Sequence, residues 1–104
     1  MSTLYITEYI GVGVVGRFAG SAGLVAMAEE PGTDQSPITI SGTAAQSTAF
    51  ASTTKFIRVH TDAICSILVG VNPTATTSNK RLAANQTEYF GVPAGMKLSV
   101  IANT

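Results

Sequence analysis

Alternation of apolar and polar residues is clearest between positions 56 and 61 of the chain, which read Phe-Ile-Arg-Val-His-Thr. In an extended strand successive side chains point to opposite faces, so Ile57 and Val59 share one face and Arg58 and His60 the other. The segment therefore predicts a β-strand with one buried face and one face in contact with water.

Other segments rich in β-branched, aromatic or apolar residues predict further strands along the chain. Pro-Gly, Ser-Gly and Asn-Pro pairs lie between them and mark turns. Residues 64–70 form a nearly continuous apolar run, which suits a strand covered on both faces but does not exclude a helical turn. The further predicted strands are residues 4–10, 38–40, 46–51, 64–70, 81–83, 87–92 and 97–102.

Short strands at near-regular spacing are typical of an all-β sandwich or barrel. Because the chain has 104 residues, it is long enough for one domain and leaves little room for a second core. We therefore predict an all-β protein, a small antiparallel β-sandwich or jelly-roll-like barrel with an extended glycine-rich N-terminal arm. We expect residues 1–36 to hold the N-terminal strand and the arm, and residues 37–104 to form the β-sandwich body of this single domain.

The segment from Gly11 to Gly23 is rich in glycine and small residues, which favours an extended arm or an irregular loop over a regular helix. Residues 24–30, which follow it, are compatible with a short helix or an extended piece. Gly11, Gly13 and Gly16 match the G-x-G-x-x-G pattern of dinucleotide-binding proteins. That pattern needs a helix that begins within it, whereas more glycines follow here, so we predict no bound cofactor.

The same region raises the question of a membrane span, because residues 9–28 are mostly apolar and about long enough to cross a bilayer. Arg17 lies near the middle of this stretch, where insertion would cost roughly 2.5 to 3.5 kcal/mol. We therefore expect no membrane partner. Six basic and six acidic residues give a formal net charge of zero without a concentrated basic face, so we do not expect nucleic acid as a partner either.

Charged residues make up only 12% of the chain, about half the usual share of a soluble globular domain. Fourteen Thr and nine Ser supply much of the polar surface in their place. A surface with few charges can enter a protein interface at low desolvation cost, and interface centres are depleted in charge. The composition favours a permanent assembly over a free monomer.

His60, Asp62, Cys65 and Ser66 are the residues whose chemistry invites a nucleophilic mechanism. His60 is the single histidine of the chain, so every general-base or metal-site hypothesis depends on it. Cys65 lies in an apolar run, where a small buried side chain is its expected role. We predict no catalytic residue and no metal site, and we expect that the protein is not an enzyme.

Aromatic residues and arginine are the residue types that most often anchor protein contacts, and aromatic rings also form sugar-binding platforms. The candidate interface residues are Tyr5, Tyr9, Phe18, Arg58, Tyr89 and Phe90.

Several motifs carry a likeness to known proteins: FIRVHTDAICS at 56–66, VNPTAT at 71–76, RLAA at 81–84, TEYFGVP at 87–93 and VIANT at 100–104, with LYITEY at 4–9 and AQSTAF at 45–50. In these stretches the chain resembles a family of short proteins encoded among the virion genes of tailed phages and prophages. The glycine-rich segment resembles that family least.

The resemblance implies a bacteriophage virion structural protein, in the first instance a capsid decoration or cement protein, which is a minor capsid protein that binds and stabilises the head shell. Its implied partners are the major capsid protein and copies of itself, as a homotrimer. Its implied location is the capsid surface of a virion that is assembled in the bacterial host cytoplasm. The alternatives are a glycan- or receptor-binding module of a tail or fibre, and a neck or tail accessory protein.

Overall fold

The computed structural model describes residues 2–16 and 24–103, and every regular element in this part is a β-strand. All strand pairings are antiparallel. No helix among the described residues is long and apolar enough to span a membrane. The strands are β1 (Thr3–Tyr9), β2 (Val12–Gly16), β3 (Leu24–Ala28), β4 (Thr33–Asp34), β5 (Ile38–Thr39), β6 (Ala45–Gln46), β7 (Phe56–Thr61), β8 (Cys65–Gly70), β9 (Lys80–Leu82), β10 (Thr87–Gly91) and β11 (Lys97–Ala102).

The first sheet has five strands in the order β10, β7, β1 and β4, with β5 also paired to β1. β7 pairs with one edge of β1, from Leu4 opposite Thr61 to Tyr9 opposite Phe56. β4 and β5 pair with the other edge of β1. The N-terminal strand thus lies in the interior of a sheet whose other members include strands from the 37–104 body.

The second sheet has four strands in the order β6, β11, β8 and β9. β8 and β11 pair along their whole lengths, with Cys65 opposite Ala102 and Gly70 opposite Lys97. The apolar run at 64–70 is therefore a strand from Cys65 onward, and the short edge strand expected at 81–83 is observed one residue earlier, as β9.

Apolar side chains from both sheets form one buried cluster, which makes the body a small antiparallel β-sandwich. The all-β prediction is confirmed. Strand alternation sends every second side chain of β1 and β7 into this core, as the sequence pattern requires. The buried cluster comprises Leu4, Ile6, Ile40, Phe50, Ile57, Val59, Cys65, Ile67, Leu82, Val92, Leu98 and Val100.

Two strands, β7 and β11, begin and end at the predicted residues. The strand predicted at 46–51 is wrong beyond its first residue, because β6 ends at Gln46. The Leu98 amide donates to Ser47 Oγ at 2.9 Å, while the Ser47 amide donates to the Leu98 carbonyl at 2.7 Å. A side-chain oxygen thus takes the place of the next ladder acceptor, and regular pairing stops there.

β2 and β3 form an antiparallel hairpin that pairs with no other strand in the described part of the chain. Val12 lies opposite Ala28 and Gly16 opposite Leu24, so residues 24–28 adopt the extended alternative. The expected extended arm is not confirmed: its first residues form β2, and residues 17–23, including Phe18, lie outside the described residues. The glycines at 13 and 16 lie within β2, where a dinucleotide motif would turn into a helix.

Candidate functional site

The solvent-facing side of the first sheet brings together four of the side chains that the sequence singles out, namely Tyr5, Arg58, His60 and Tyr89. Register places His60 opposite Tyr5 of β1 and Thr87 of β10. One pair further along, Arg58 lies opposite Thr7 and Tyr89. We call this surface the outer face; its members are Tyr5, Thr7, Arg58, His60, Thr87 and Tyr89.

An open cleft of about 460 Å³ lies on the outer face. β1 and β7 contribute Tyr5, Thr7, Arg58 and His60 to it, and Asp34 and the residues that follow β4 line it on the other side. Asp34 reaches this position because β4 pairs with β1, which sets it opposite Thr7. The volume lies within the roughly 300–1,000 Å³ of small-molecule sites.

Two charged side chains of the cleft are only partly engaged by the protein itself. The Thr7 hydroxyl donates to Asp34 Oδ1 at 2.8 Å. The guanidinium of Arg58 makes no hydrogen bond or ion pair within the part of the chain that the structure describes. Arg58 and Asp34 therefore face one cleft without neutralising each other, which leaves a donor group and an acceptor group available to a ligand.

A buried carboxylate holds the connection between β4 and β5 in place beside the cleft. Glu8, only 8% exposed, accepts hydrogen bonds from the Thr54 hydroxyl at 2.6 Å, the Ala51 amide at 2.9 Å and Gln35 Nε2 at 3.0 Å. Burial raises the pKa of Glu8, but the three hydrogen bonds outweigh it, so its pKa lies below the ordinary value. Gln35 Nε2 also donates to the Thr48 carbonyl at 3.3 Å, so two acceptors hold its side chain at the border of the cleft.

His60 is held between a hydroxyl and a carboxylate at the edge of the cleft. Its Nδ1 lies 2.8 Å from Thr87 Oγ1, and its Nε2 lies 3.8 Å from Asp62 Oδ1. The ring centroids of Tyr5 and His60 are 6.3 Å apart. These contacts orient the imidazole as one wall of the cleft.

The structure does not bring Cys65 or Ser66 to His60. Both side chains are fully buried on β8, and Cys65 Sγ donates to Thr61 Oγ1, which points to the opposite side of β7 from His60. Burial raises the pKa of the Cys65 thiol, although the Thr61 hydroxyl lowers it in part. Cys65 is therefore a small buried residue, as predicted.

The candidate interface residues fall into different environments. Tyr5 and Tyr89 are 42% and 54% exposed, and Arg58 is half-buried between them. Phe90 packs against the core cluster from its edge, with Lys80 Nζ 4.4 Å from its ring centroid.

Tyr9 is buried although it belongs to the same side of β1 as Tyr5. Its ring stacks on Phe56 with centroids 5.0 Å apart, and its hydroxyl donates to Glu30 Oε2 at 2.9 Å. Burial, and then Glu30, raise the pKa of Tyr9. A Cβ at position 32 would lie 2.8 Å from the Tyr9 ring, so only glycine lets the loop cover it this closely.

Thr7, Asp34 and Thr87 are site residues that sequence reasoning missed. No sequence motif gives any of them a role at this site, and they meet the other site residues only through pairing between distant strands. Among the described residues, no group of three or more His, Cys, Asp or Glu side chains could hold a metal ion.

The fold and the site together define an all-β protein with a partly engaged polar and aromatic cleft on one sheet face. No protein-family model, no curated protein and no solved structure matches the chain.

Proposed function

We propose that this protein is a structural protein of a bacteriophage virion, and specifically a decoration or cement protein that binds and stabilises the head shell. In this proposal it acts by binding and not by catalysis. Its partners are the major capsid protein and further copies of itself, most simply in a homotrimer, on the capsid surface. The resemblance to virion proteins and the low content of charged residues support this function.

The observation that carries the proposal is the hairpin of β2 and β3. Its strands read Val-Gly-Val-Val-Gly and Leu-Val-Ala-Met-Ala, without a charged residue. A hairpin of two strands is marginally stable in water by itself, and this one pairs with no other strand of the described chain. A partner strand added to the hairpin would extend this two-stranded sheet and stabilise it.

The hairpin also leaves strand edges that a neighbouring subunit can use. Unpaired backbone amides and carbonyls along an edge are a template for addition of another strand. Such pairing would give a decoration protein affinity for the shell without surface charge. The sandwich body, which has its own buried cluster, would then act as the part that lies on the shell.

The hairpin can be removed without cutting into the body. The Glu29 amide donates to the Gly11 carbonyl at 3.2 Å, so the two ends of the hairpin are already adjacent. Replacing residues 12–28 by Asn-Gly would close them with a tight turn. Removing all residues before 24 would instead delete β1, whose Leu4 and Ile6 belong to the core.

The test combines microscopy with reconstitution. Electron cryo-microscopy of virions of the phage that encodes this chain should show density for the sandwich on the capsid lattice. Density confined to the tail would replace this proposal with the tail or neck alternatives, and absence from the particle would overturn the virion assignment.

In reconstitution, shells that lack the protein should bind the full chain and not the variant closed with Asn-Gly. A matched control is Val71→Ala, which shortens an exposed apolar side chain of the body and should bind normally. Retention of shell binding by the folded hairpin-less variant would refute the role of the hairpin.

A further inference from the structure

The cleft on the outer face carries a second inference, which goes beyond the proposed function and does not rest on it. We propose that the cleft is a binding site for a neutral saccharide, with Tyr5 as the stacking platform and with Arg58 and Asp34 as the groups that hold adjacent hydroxyls.

The charges of the cleft point to a neutral ligand. Arg58 and Asp34 line the same cleft but form no ion pair with each other in the described structure. An anionic ligand drawn to Arg58 would meet the Asp34 carboxylate, and a cationic ligand drawn to Asp34 would meet the guanidinium. A ligand that binds both groups must be uncharged, must accept a hydrogen bond from Arg58 and must donate one to Asp34.

Adjacent hydroxyl groups of a sugar have this property, because each hydroxyl is both a donor and an acceptor. One hydroxyl can accept a guanidinium N–H of Arg58 while its neighbour donates to the oxygen of Asp34 that Thr7 does not bind. Hydrogen bonds to charged groups are stronger than bonds between neutral groups, so the pair would fix the orientation of the ring.

The remaining contact is apolar. A pyranose presents C–H groups on one face, and these pack on the negative face of an aromatic ring. Tyr5 offers such a ring within the cleft, since it is 42% exposed while its neighbours on β1, Leu4 and Ile6, are buried. His60, held by Thr87, limits the rotation of the ligand on that side.

Strand pairing holds the backbone of the site in place before any ligand arrives, which reduces the entropic cost of binding. Tyr5, Thr7, Arg58 and His60 lie on paired strands in the interior of a sheet. Asp34 is held by β1 and by the Thr7 hydroxyl. The following residue, Gln35, is bound through its amide to Glu8.

The test is a titration of the purified full chain, followed by two-dimensional NMR of its backbone amides. The probes are galactose, glucose, mannose, rhamnose and N-acetylglucosamine, with glucuronate as an anionic probe and glucosamine as a cationic probe. We expect saturable shifts with at least one neutral sugar, centred on the amides of Tyr5, Thr7, Asp34 and Arg58. Shifts that never saturate, or shifts elsewhere, would overturn the proposal.

Variants then test the roles. Asp34→Asn and Arg58→Gln should each weaken binding of that sugar roughly tenfold or more, since each removes a charged hydrogen-bond partner. Tyr5→Ala should weaken it as well, whereas Tyr5→Phe should keep it because the ring remains. The matched control is Tyr89→Ala, which removes a tyrosine of the outer face that is somewhat more exposed than Tyr5 and does not line the cleft.

Binding that Tyr89→Ala abolishes and Tyr5→Ala spares would overturn the assignment to this cleft. Binding of glucuronate alone would overturn the neutral-ligand inference. Shell attachment of Asp34→Asn should be unchanged, so failure of the saccharide site and failure of the virion function are read out separately.

Discussion

The two faces of the first sheet are made by the same strands and have opposite properties. On the inner face, Leu4, Ile6, Ile57 and Val59 are buried. On the outer face, the guanidinium of Arg58, the residue that follows Ile57, makes no hydrogen bond or ion pair in the described structure. The two faces therefore serve different purposes. Side chains that are buried or hydrogen-bonded within the protein stabilise the fold, while polar side chains without such partners can bind a ligand.

Even the acidic residues of this sheet follow that division. Glu8 on the inner side receives three hydrogen bonds, whereas Asp34 on the outer side receives one, from Thr7. No buried side-chain nitrogen or oxygen among the described residues lacks a partner. The number of hydrogen bonds that each carboxylate receives therefore follows the face on which it lies.

The largest expected difference in stability is between substitutions of two consecutive residues, Ile57 and Arg58, which lie on opposite faces. Ile57→Ala should lower the free energy of unfolding by about 2–5 kcal/mol, because it removes a fully buried side chain and leaves a cavity. Arg58→Ala should change it by no more than about 0.5 kcal/mol, as is usual for surface substitutions. Chemical denaturation of the two variants measures both values, and similar losses would break the distinction between the faces.

A smaller effect is expected for the same chemical change made on each face. Glu8→Gln should cost about 1.5–3 kcal/mol, since the amide replaces one acceptor oxygen by a donor facing other donors. Asp34→Asn, its matched control, should stay within about 0.5 kcal/mol of the wild type. Equal stability of the two variants in urea would show that the donors around Glu8 contribute nothing.

The dependence of stability on acid pH gives a further test of the role of Glu8. The pKa of Glu8 lies below its ordinary value in the folded chain, so the folded state binds its proton less readily than the unfolded state. This contribution to stability is present above the ordinary pKa of a glutamate, and it is lost as pH falls through the lower folded value. Thermal unfolding between neutral and acid pH should show the loss, and Glu8→Gln should show a smaller one. An unchanged pH dependence in that variant would contradict the assignment.

Much of the fold follows from local pattern. β7 has its predicted bounds, and Ile57 and Val59 are buried as the alternation of side chains along a strand requires. β11 also has its predicted bounds, although its alternation is only partial. β6 was predicted too long because the hydroxyl of Ser47, which takes the place of a ladder acceptor, leaves no trace in hydropathy.

The hairpin shows where local pattern misleads. Glycines in β2 carry no side chain and lower its strand propensity, so the sequence favours an arm or a loop. Pairing with Leu24–Ala28 makes the segment a strand nonetheless, because backbone hydrogen bonds do not depend on side chains.

The candidate site was predictable only in part. Tyr5, Arg58 and Tyr89 were identified by residue type, and the exposure of both tyrosines agrees with their positions on the polar side of their strands. Tyr9 has the same parity as Tyr5, yet the loop at Gly32 covers it. Nothing local to Tyr9 distinguishes it from Tyr5.

The sequence alone determined that the chain forms short strands and which side chains of β1 and β7 share a face, because both depend on a period of two residues along one strand. Only the tertiary structure decided that Thr7 stands between Arg58 and Asp34, and that Glu8 gathers donors from two loops. Those neighbours come from strand order and register, which are set by burying all apolar faces at once and not by any one segment.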